Sequence, residues 1–358
     1  MGVFMRQIKV VFAIVAALIG AGFASGQEIC TFFYVYGVKG IVGLTVCGFL
    51  LTYIIYKVFL LLLKNNLNNY KDFIYALIGK NGLLVNTIVN SFLLITFFIM
   101  LSGFGAFFSQ EANISKYIGS GILAFLCFLT FITKSNGVIR MSSLLVPILI
   151  LFIVIIGTIN VGSLNINSTF NLLPEVNGFT WLLNSILYCS YNSILLIPVL
   201  ITLKEFIYSK KDIIIISIIS GLIILVLAVS IFFLLTRVDI DISKLEMPII
   251  YVIRHFYKSF MYIYAFIILA SIYTSAISIG ISFLNNIVKN KTTYPLIVII
   301  MCITGFAISG FGFSNLVSKL YPIFGYLGLL QIGFLAKSGR LMWRLRRRSK
   351  GTVLNDRF

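Results

Sequence analysis

The first long apolar run of this sequence is interrupted by the stretch Gly20-Ala-Gly-Phe-Ala-Ser-Gly-Gln-Glu28. Apolar residues flank it on both sides, so residues 8–36 form one predicted membrane span with a polar centre. Each of its three glycines disfavours a helix by about 1 kcal/mol relative to alanine. A glutamate well inside an apolar span costs considerable free energy, so a specific structural or functional role is expected for it. We therefore predict a helix broken within this stretch, whose exposed amides near Ser25 to Glu28 and freed carbonyls face a polar ligand.

The same residues have simpler explanations. Gly22 and Gly26 could form a small-residue seam against a neighbouring helix, with Glu28 extending toward the membrane surface. The bases Arg6 and Lys9 before an apolar run are also typical of a signal peptide. Cleavage is not expected, because apolar character resumes after Glu28 and further spans follow.

The composition of the whole chain is typical of a membrane protein. It has 358 residues, of which 60% are hydrophobic and 11% charged, and its mean hydropathy is +1.06. A soluble domain of this length needs a more polar surface. We predict an all-α integral membrane protein with about ten transmembrane helices over residues 1–336, followed by a basic tail over 337–358. The predicted spans are 8–36, 41–63, 85–109, 117–133, 141–160, 179–203, 212–235, 259–286, 294–312 and 316–336, with amphipathic segments at 66–80 and 247–258.

The bases responsible for the net charge of +18 lie mostly at the ends of the predicted spans. Bases at the ends of apolar runs indicate topology signals and phospholipid contacts, so no nucleic-acid partner is expected. With a cytoplasmic N-terminus, every short inside loop carries at least two bases, whereas the outside loop 161–178 carries none. We predict two cytoplasmic termini in a bacterial inner (cytoplasmic) membrane and make no prediction of the oligomeric state. The tail, with Trp343 and Arg346-Arg347-Arg348, is predicted to contact anionic lipid headgroups or to serve as a regulatory docking site.

The sequence has no motif of an enzyme, a zinc centre or a disulfide framework. Its one histidine, His255, lies in a predicted outside segment, and no span combines a nucleophile with a base. The five cysteines lie in apolar runs and form no CxxC pair. We expect a protein that is not an enzyme and holds no cofactor.

A second polar cluster interrupts the sixth predicted span. It reads Tyr188-Cys-Ser-Tyr191-Asn192-Ser193 and is followed by Pro198, which removes a backbone donor. This pattern predicts a second broken helix, or alternatively a proline-kinked one. The two clusters lie about 170 residues apart, and the other spans repeat at nearly the same offset. Two five-span halves, 8–160 and 179–336, would then be inverted repeats with a site between two broken helices.

The eighth predicted span carries a stripe of hydroxyl side chains. Ser271, Thr274, Ser275 and Ser278 have offsets of zero, three, four and seven, so they share one helical face. Hydroxyl oxygens suit a small cation when backbone carbonyls lie nearby. The alternative is that the stripe holds neighbouring helices together.

At this point the sequence resembles a known group. The five-plus-five plan and the Gly20-Ala-Gly break resemble the amino acid–polyamine–organocation superfamily, whose members share the LeuT-type fold. The longer stretch to Glu28, followed by Phe32-Phe33 and Gly37, is similar to its bacterial YkvI-like branch. The resemblance covers residues 8–336. It implies a secondary active transporter of a small solute, an amino acid or related zwitterion or amine, that works by alternating access.

The resemblance also implies a coupling ion. In sodium-coupled relatives, carbonyls before the first break and a small-xx-Thr-Ser pattern on span eight hold the ion. Ala16 and Ile19 would supply the carbonyls, and Ser271-Ile-Tyr-Thr274-Ser275 matches the pattern. Ser271 stands where a smaller residue is common, and Gln27-Glu28 are not part of the sodium-coupled pattern. A proton carried by Glu28 therefore remains the alternative to a bound Na⁺.

These observations give one site hypothesis with alternatives. Glu28 is predicted to be either the proton carrier or the counter-charge for a ligand ammonium. The first functional hypothesis is the transporter. The second is a non-transporting receptor of the same fold, as in spore germinant sensing, and the third is a channel. The predicted substrate-binding residues are Gly20, Ala21, Gly22, Phe23, Ser25, Gly26, Gln27, Glu28, Tyr188, Tyr191 and Asn192.

Overall fold

The computed structural model describes residues 2–65, 67, 70–78, 82–133, 137–162, 178–238, 240, 242, 245–288, 290 and 292–355. Most of the loop 161–178 and the side chains of the basic tail lie outside the described residues. The described chain folds into helices, and the predicted all-α membrane protein is confirmed. The helices are α1 (Gly2–Leu18), α2 (Ala21–Ala24), α3 (Gln27–Phe32), α4 (Val38–Asn65), α5 (Tyr70–Ile78), α6 (Gly82–Ala112), α7 (Lys116–Thr133), α8 (Gly137–Gly162), α9 (Thr180–Leu203), α10 (Lys210–Leu235), α11 (Pro248–Phe256), α12 (Met261–Ile287), α13 (Tyr294–Ile308) and α14 (Phe313–Asn355).

These helices match the ten predicted spans. Eight helices of the described chain are long and apolar enough to cross a membrane, and they correspond to spans two to four and six to ten. The described apolar part of α8, Pro147–Gly162, is shorter and corresponds to span five. Span one is the interrupted series α1, α2 and α3. The two amphipathic segments contain the short helices α5 and α11.

The helices pack in two groups that share a continuous apolar core. In the first group, α1 lies against α9 and α10, and α4 packs on the same two helices. In the second, α6 packs on α7 and α12, and α13 packs on α7. Helices α8 and α14 join the groups, because α8 contacts both α10 and α12 and α14 contacts both α9 and α6. The polar centre of span one lies within this assembly.

The predicted break in the first span is present. Helix α1 ends at Leu18, and Gly20 has an extended backbone that admits no helical turn (φ −96°, ψ −168°). After one turn in α2, Gly26 has φ +83°, a left-handed conformation that glycine adopts at little cost. A Cβ at position 26 would also lie 2.6 Å from Ile249 Cγ1. The chain therefore needs glycine at this point.

The predicted break in the sixth span is wrong, because α9 runs unbroken from Thr180 to Leu203 with Pro198 inside it. The polar side chains of the cluster are bonded within their own helix. Ser190 Oγ donates to the Ile186 carbonyl at 2.7 Å, and Asn192 Nδ2 donates to the Tyr188 carbonyl at 2.9 Å. These bonds satisfy the polar groups without exposing backbone, so the proline-containing helix is the correct alternative.

Candidate solute site at the broken first span

Ser25 holds the second half of the break in place. Its Oγ donates to the Gly22 carbonyl at 3.2 Å and accepts from the Gln27 amide at 3.3 Å. Its own carbonyl accepts from the amide of Ile249 at 2.9 Å. The Ala24 carbonyl accepts a hydrogen bond from the Tyr264 hydroxyl. The backbone groups released by the break are thus bonded partly to α11 and α12, which makes its shape depend on tertiary contacts.

Glu28 folds back from α3 onto the break. Its carboxyl lies so close to Gly22 that a Cβ there would overlap Oε1 and lie 2.7 Å from Cγ. The other oxygen, Oε2, accepts a hydrogen bond of 2.6 Å from the Tyr191 hydroxyl of α9. Glu28 is only 3% exposed. The absence of a side chain at position 22 therefore makes the room in which this carboxyl is held.

Aromatic rings surround this carboxyl. The Tyr191 ring lies 5.5 Å from Phe32, 5.3 Å from Tyr188 and 4.7 Å from Tyr321, measured between ring centroids. Phe92 of α6 meets Tyr191 edge-on at 6.2 Å. All five rings are buried. The Tyr191 hydroxyl that bonds the carboxyl thus belongs to a buried aromatic cluster, and Glu28 forms no ion pair among the described residues.

The structure separates the predicted substrate residues into two sets. Gly22, Glu28, Tyr188 and Tyr191 come together at the break. Gln27 points elsewhere, because its Nε2 donates to Ser314 Oγ of α14 at 2.6 Å. Five further predicted residues form the backbone of the break itself: Gly20, Ala21, Phe23, Ser25 and Gly26. Asn192 bonds the Tyr188 carbonyl within α9 rather than a group of the break.

The residues predicted for sodium lie next to the break. The Ala16 carbonyl does not receive the usual helical bond, because the Gly20 amide donates to Leu18 at 3.2 Å instead. Ser271 and Thr274 are buried and Ser275 is half-buried, and Thr274 Oγ1 donates to the Ser271 carbonyl at 3.1 Å. Along α12 these residues lie two to three turns after Tyr264, whose hydroxyl donates to the Ala24 carbonyl. Their role in ion binding stays a prediction.

Polar contacts close the bundle at the end that holds the N-terminus. Asp212 Oδ2 accepts from Arg6 Nη2 at 3.1 Å, and Oδ1 accepts from Gln7 Nε2 at 2.6 Å. The guanidinium of Arg6 also lies 4.2 Å from the centre of the Tyr208 ring. The start of α1 is thereby joined to the first turn of α10 and to Tyr208 just before that helix.

A second set of contacts closes the opposite end. Gln27 bonds Ser314, whose backbone amide donates to Glu246 Oε2 at 2.6 Å. Gln110 forms two hydrogen bonds with the backbone of Met247, at 2.9 and 3.1 Å. Arg254 Nη1 lies 3.4 Å from Glu111 Oε2. Polar contacts thus join the helices both near the start of α1 and around Gln27.

Sequence reasoning missed several residues of this site. Phe32 was noted only as part of the resemblance, and Phe92, Tyr321 and Ser314 were not considered. Tyr321 precedes Pro322 in span ten, but isolated aromatic residues are common in apolar spans and carry no specific signal. Only the packing of α14 against α9 brings it to Tyr191.

Two relatives cover nearly the whole chain. The chain is 30% identical over 336 residues to the uncharacterized membrane protein YkvI of Bacillus subtilis, covering 91% of this chain and 94% of that protein. It is 26% identical over 327 residues to the uncharacterized protein YyaD of the same organism, covering 90% and 94%. No family model matches the sequence.

Solved transporters have the same fold. A manganese transporter of Eremococcus coleocola superposes with a TM-score of 0.64 at 14% identity, covering 93% of this chain and 78% of that one. Mhp1, a nucleobase-cation-symport-1 family transporter in a closed conformation with bromovinylhydantoin bound, superposes with 0.54 at 11% identity, covering 96% and 79%. The protein is thus a multi-pass, all-α membrane protein of the LeuT-type fold. By its identity to YkvI, the chain belongs to the family of that membrane protein.

Proposed function

We propose that this protein is a secondary active transporter, of the amino acid–polyamine–organocation type, for a small solute that carries an ammonium group. An amino acid or a related amine fits this description. The observation that carries the proposal is the buried Glu28 carboxyl, held at the break of span one by the Tyr191 hydroxyl. The proposal includes both termini in the cytoplasm and no enzymatic activity.

The chemistry around Glu28 suits an ammonium group. A buried carboxylate without a counter-charge is costly, so it is stable only when protonated or when a cation is bound. The faces of aromatic rings such as Tyr188 and Tyr321 also attract cations. An ammonium group entering the site would replace the Tyr191 hydroxyl as the hydrogen-bond donor to Glu28. It would form a charge-assisted hydrogen bond with the carboxylate. When no solute is bound, a proton on Glu28 would neutralise the buried carboxylate in the same way. Binding of the solute and binding of a proton at Glu28 would therefore be coupled.

A divalent metal fits less well. The Eremococcus coleocola neighbour transports manganese, and manganese takes about six ligands, mainly oxygens. At the break, Glu28 and Tyr191 supply three side-chain oxygens, and no group of three His, Cys, Asp or Glu side chains occurs among the described residues. The remaining surface of the site is aromatic, which favours an organic cation.

Alternating access is supported by the two closed ends. Hydrogen bonds join the helices at each end, namely Arg6 and Gln7 with Asp212 at one end and Gln27 with Ser314 at the other. Transport requires that these ends open in turn while Glu28 keeps the solute. A sodium ion bound by Ala16, Ile19, Ser271, Thr274 and Ser275 is the alternative coupling ion.

The test is a thermal-shift screen of the purified full-length protein against the twenty amino acids, simple amines and Mn²⁺. We expect stabilisation by an ammonium compound and little by Mn²⁺. Glu28→Gln keeps the size of the side chain and should reduce that stabilisation to background. Glu205→Gln, a change of an exposed carboxyl just after α9, is the matched control and should behave as wild type.

Uptake into proteoliposomes then separates the functional classes. A transporter shows saturable uptake and counterflow of the stabilising compound. Binding without flux would identify a receptor, and flux that does not saturate would identify a channel. Normal uptake, affinity and pH dependence in Glu28→Gln would contradict the assigned role of this carboxyl.

A further inference from the structure

Helices α7 and α13 enclose an apolar groove that is separate from the site at the break. Its volume is about 410 Å³, within the range of about 300–1,000 Å³ that is usual for ligand pockets. Glycine, alanine, cysteine, phenylalanine and isoleucine line it, between residues 121 and 128 of α7 and between 299 and 306 of α13. Seven residues of a helix rise by about 10 Å, so the groove has about this length.

The groove exists because small residues lie between large ones. Ala124 of α7 and Cys302 of α13 both line it and are 8% and 6% exposed, whereas Phe125 and Ile303 line it and are 61% and 62% exposed. Gly121 adds a position without a side chain. The small, buried residues thus form the floor of the groove, and the large, exposed ones form its rim.

Contacts between the two helices close the groove at each end. At one end, the rings of Tyr117 and Phe306 lie 6.0 Å apart, and a Cβ at Gly310 would lie 2.5 Å from the Tyr117 hydroxyl oxygen. At the other end, the Tyr294 hydroxyl donates to the Phe131 carbonyl at 3.3 Å. The helices therefore run antiparallel, and the groove between these contacts opens only sideways.

The open side of the groove faces the membrane. Both helices are long and apolar enough to cross it. Only 28% of the most apolar stretch of α13 is buried in the protein, the smallest share among the eight such helices of the described chain, and the share for α7 is 39%. A recess on this surface borders hydrocarbon rather than water. The group that suits it is therefore an acyl chain.

A cation lies at the end of the groove where α7 begins. Lys116 Nζ donates to the Gly310 carbonyl at 2.6 Å and lies 5.8 Å from the centre of the Tyr117 ring. Lys116 forms no ion pair among the described residues. The acid that precedes it in sequence, Glu111, pairs with Arg254. An ammonium has three N–H donors, so Lys116 can also bind an anion from outside the protein.

We propose that this groove binds one acyl chain of an anionic phospholipid of the bilayer, whose phosphate contacts Lys116 and the Tyr117 hydroxyl. The charge complements the lysine, and the apolar floor and rim complement the chain. Both polar groups lie at the end of a span, which is the level of lipid headgroups. Lipid binding in this groove does not depend on the solute or on transport.

Site-resolved photocrosslinking tests the groove. The full-length protein is placed in phosphatidylcholine nanodiscs that contain a trace of phosphatidylglycerol or phosphatidylcholine with a diazirine in the acyl chain. Peptide mass spectrometry then gives the crosslinking yield at residues 121–128 and 299–306 relative to the rest of the protein. We expect a yield about five times higher with phosphatidylglycerol, the effect of one lysine close to an anionic headgroup.

Two pairs of variants assign this preference to the groove. Lys116→Gln should bring the yield with phosphatidylglycerol close to that with phosphatidylcholine, whereas Lys258→Gln, at an exposed lysine that also begins a span, should not. Ala124→Leu fills the floor and should remove most crosslinks to the groove. Ala307→Leu is its control, because Ala307 is exposed on α13 and does not line the groove.

Equal wild-type yields with the two lipids would show that bulk lipid alone covers these helices and would overturn the site. Unchanged preference in Lys116→Gln, or equal crosslinking in Ala124→Leu and Ala307→Leu, would do the same. A wild-type dimer that Ala124→Leu converts to a monomer, with no lipid crosslinked in the groove, would assign the groove to a second copy of the chain and would also overturn it.

Discussion

Spans one and six carry similar polar clusters in sequence, but only span one is broken. Gly26 has a left-handed backbone and Gly20 an extended one, and the released backbone groups are bonded by other helices. In span six, Ser190, Asn192 and Ser193 bond to carbonyls of their own helix. Polar residues within a span therefore do not break a helix by themselves. Glycines whose conformation is fixed by tertiary contacts do.

The largest expected effect comes from Gly22, because the break holds Glu28 only if position 22 has no side chain. In Gly22→Ala, the new Cβ would overlap Glu28 Oε1 and displace the carboxyl. We expect the affinity for the stabilising amine to fall at least about tenfold, which corresponds to about 1.4 kcal/mol. Titration of the thermal shift measures it.

Gly20→Ala is the matched control for Gly22→Ala. A Cβ at position 20 would meet only Met100 Cε, at an ordinary 3.5 Å. Affinity close to wild type is expected. An equal loss of affinity in the two variants would contradict this explanation. It would mean that the break requires glycine at both positions and that the space for the Glu28 carboxyl does not determine the affinity.

Gly26→Ala should lower stability rather than change the site directly. Its left-handed backbone costs a residue with a Cβ about 1–2 kcal/mol, and Ile249 Cγ1 would lie 2.6 Å from that Cβ. We expect a lower midpoint in thermal unfolding monitored by fluorescence. Ser193→Ala in the unbroken α9 is the comparison variant and should change the midpoint less, because it removes one local hydrogen bond. A wild-type midpoint for Gly26→Ala would contradict the described backbone.

Span one also differs from span six because backbone carbonyls near its break lack helical donors. The sodium hypothesis depends on these carbonyls. If Thr274 and Ser275 bind Na⁺ together with Ala16 and Ile19, amine binding should increase with NaCl relative to choline chloride. The double change Thr274→Ala and Ser275→Ala should abolish that increase. An unchanged sodium response would remove this site, and a protein that no longer elutes as one species would support a packing role for the hydroxyls instead.

The smallest effect is expected in span six. Pro198→Ala restores an amide that can donate to the Ile194 carbonyl of a helix that is already continuous. We expect the same helical content by circular dichroism and a gain in stability of up to about 1 kcal/mol. A marked change in helical content would show that α9 is broken in solution and that the two spans are alike.

The ten crossings and the break in span one could be predicted because they depend on local chemistry. The apolar runs set where helices cross, and Gly20, Gly22 and Gly26 disfavour a continuous helix in any context. Most helix bounds accordingly fall within a few residues of the predicted spans, whereas α14 continues beyond the predicted end at 336 to Asn355. The unbroken α9 could not be predicted in the same way, since Ser190 and Asn192 can bond either their own helix or a ligand, and the sequence does not distinguish the two.

The sequence by itself determined the membrane class, the spans and the presence of a carboxyl at a weak point of the first helix. Only the tertiary structure decided which groups meet that carboxyl. Tyr191 of α9 bonds it, and Tyr321 lies against the Tyr191 ring because α9 and α14 pack through Gly325 and Gly328. Gln27, adjacent to Glu28 in sequence, is instead turned toward Ser314. The physical reason is the separation along the chain of the residues that determine each property. Hydrophobic length and helix propensity are properties of neighbouring residues, while the environment of a buried charge is built from helices far apart in the chain.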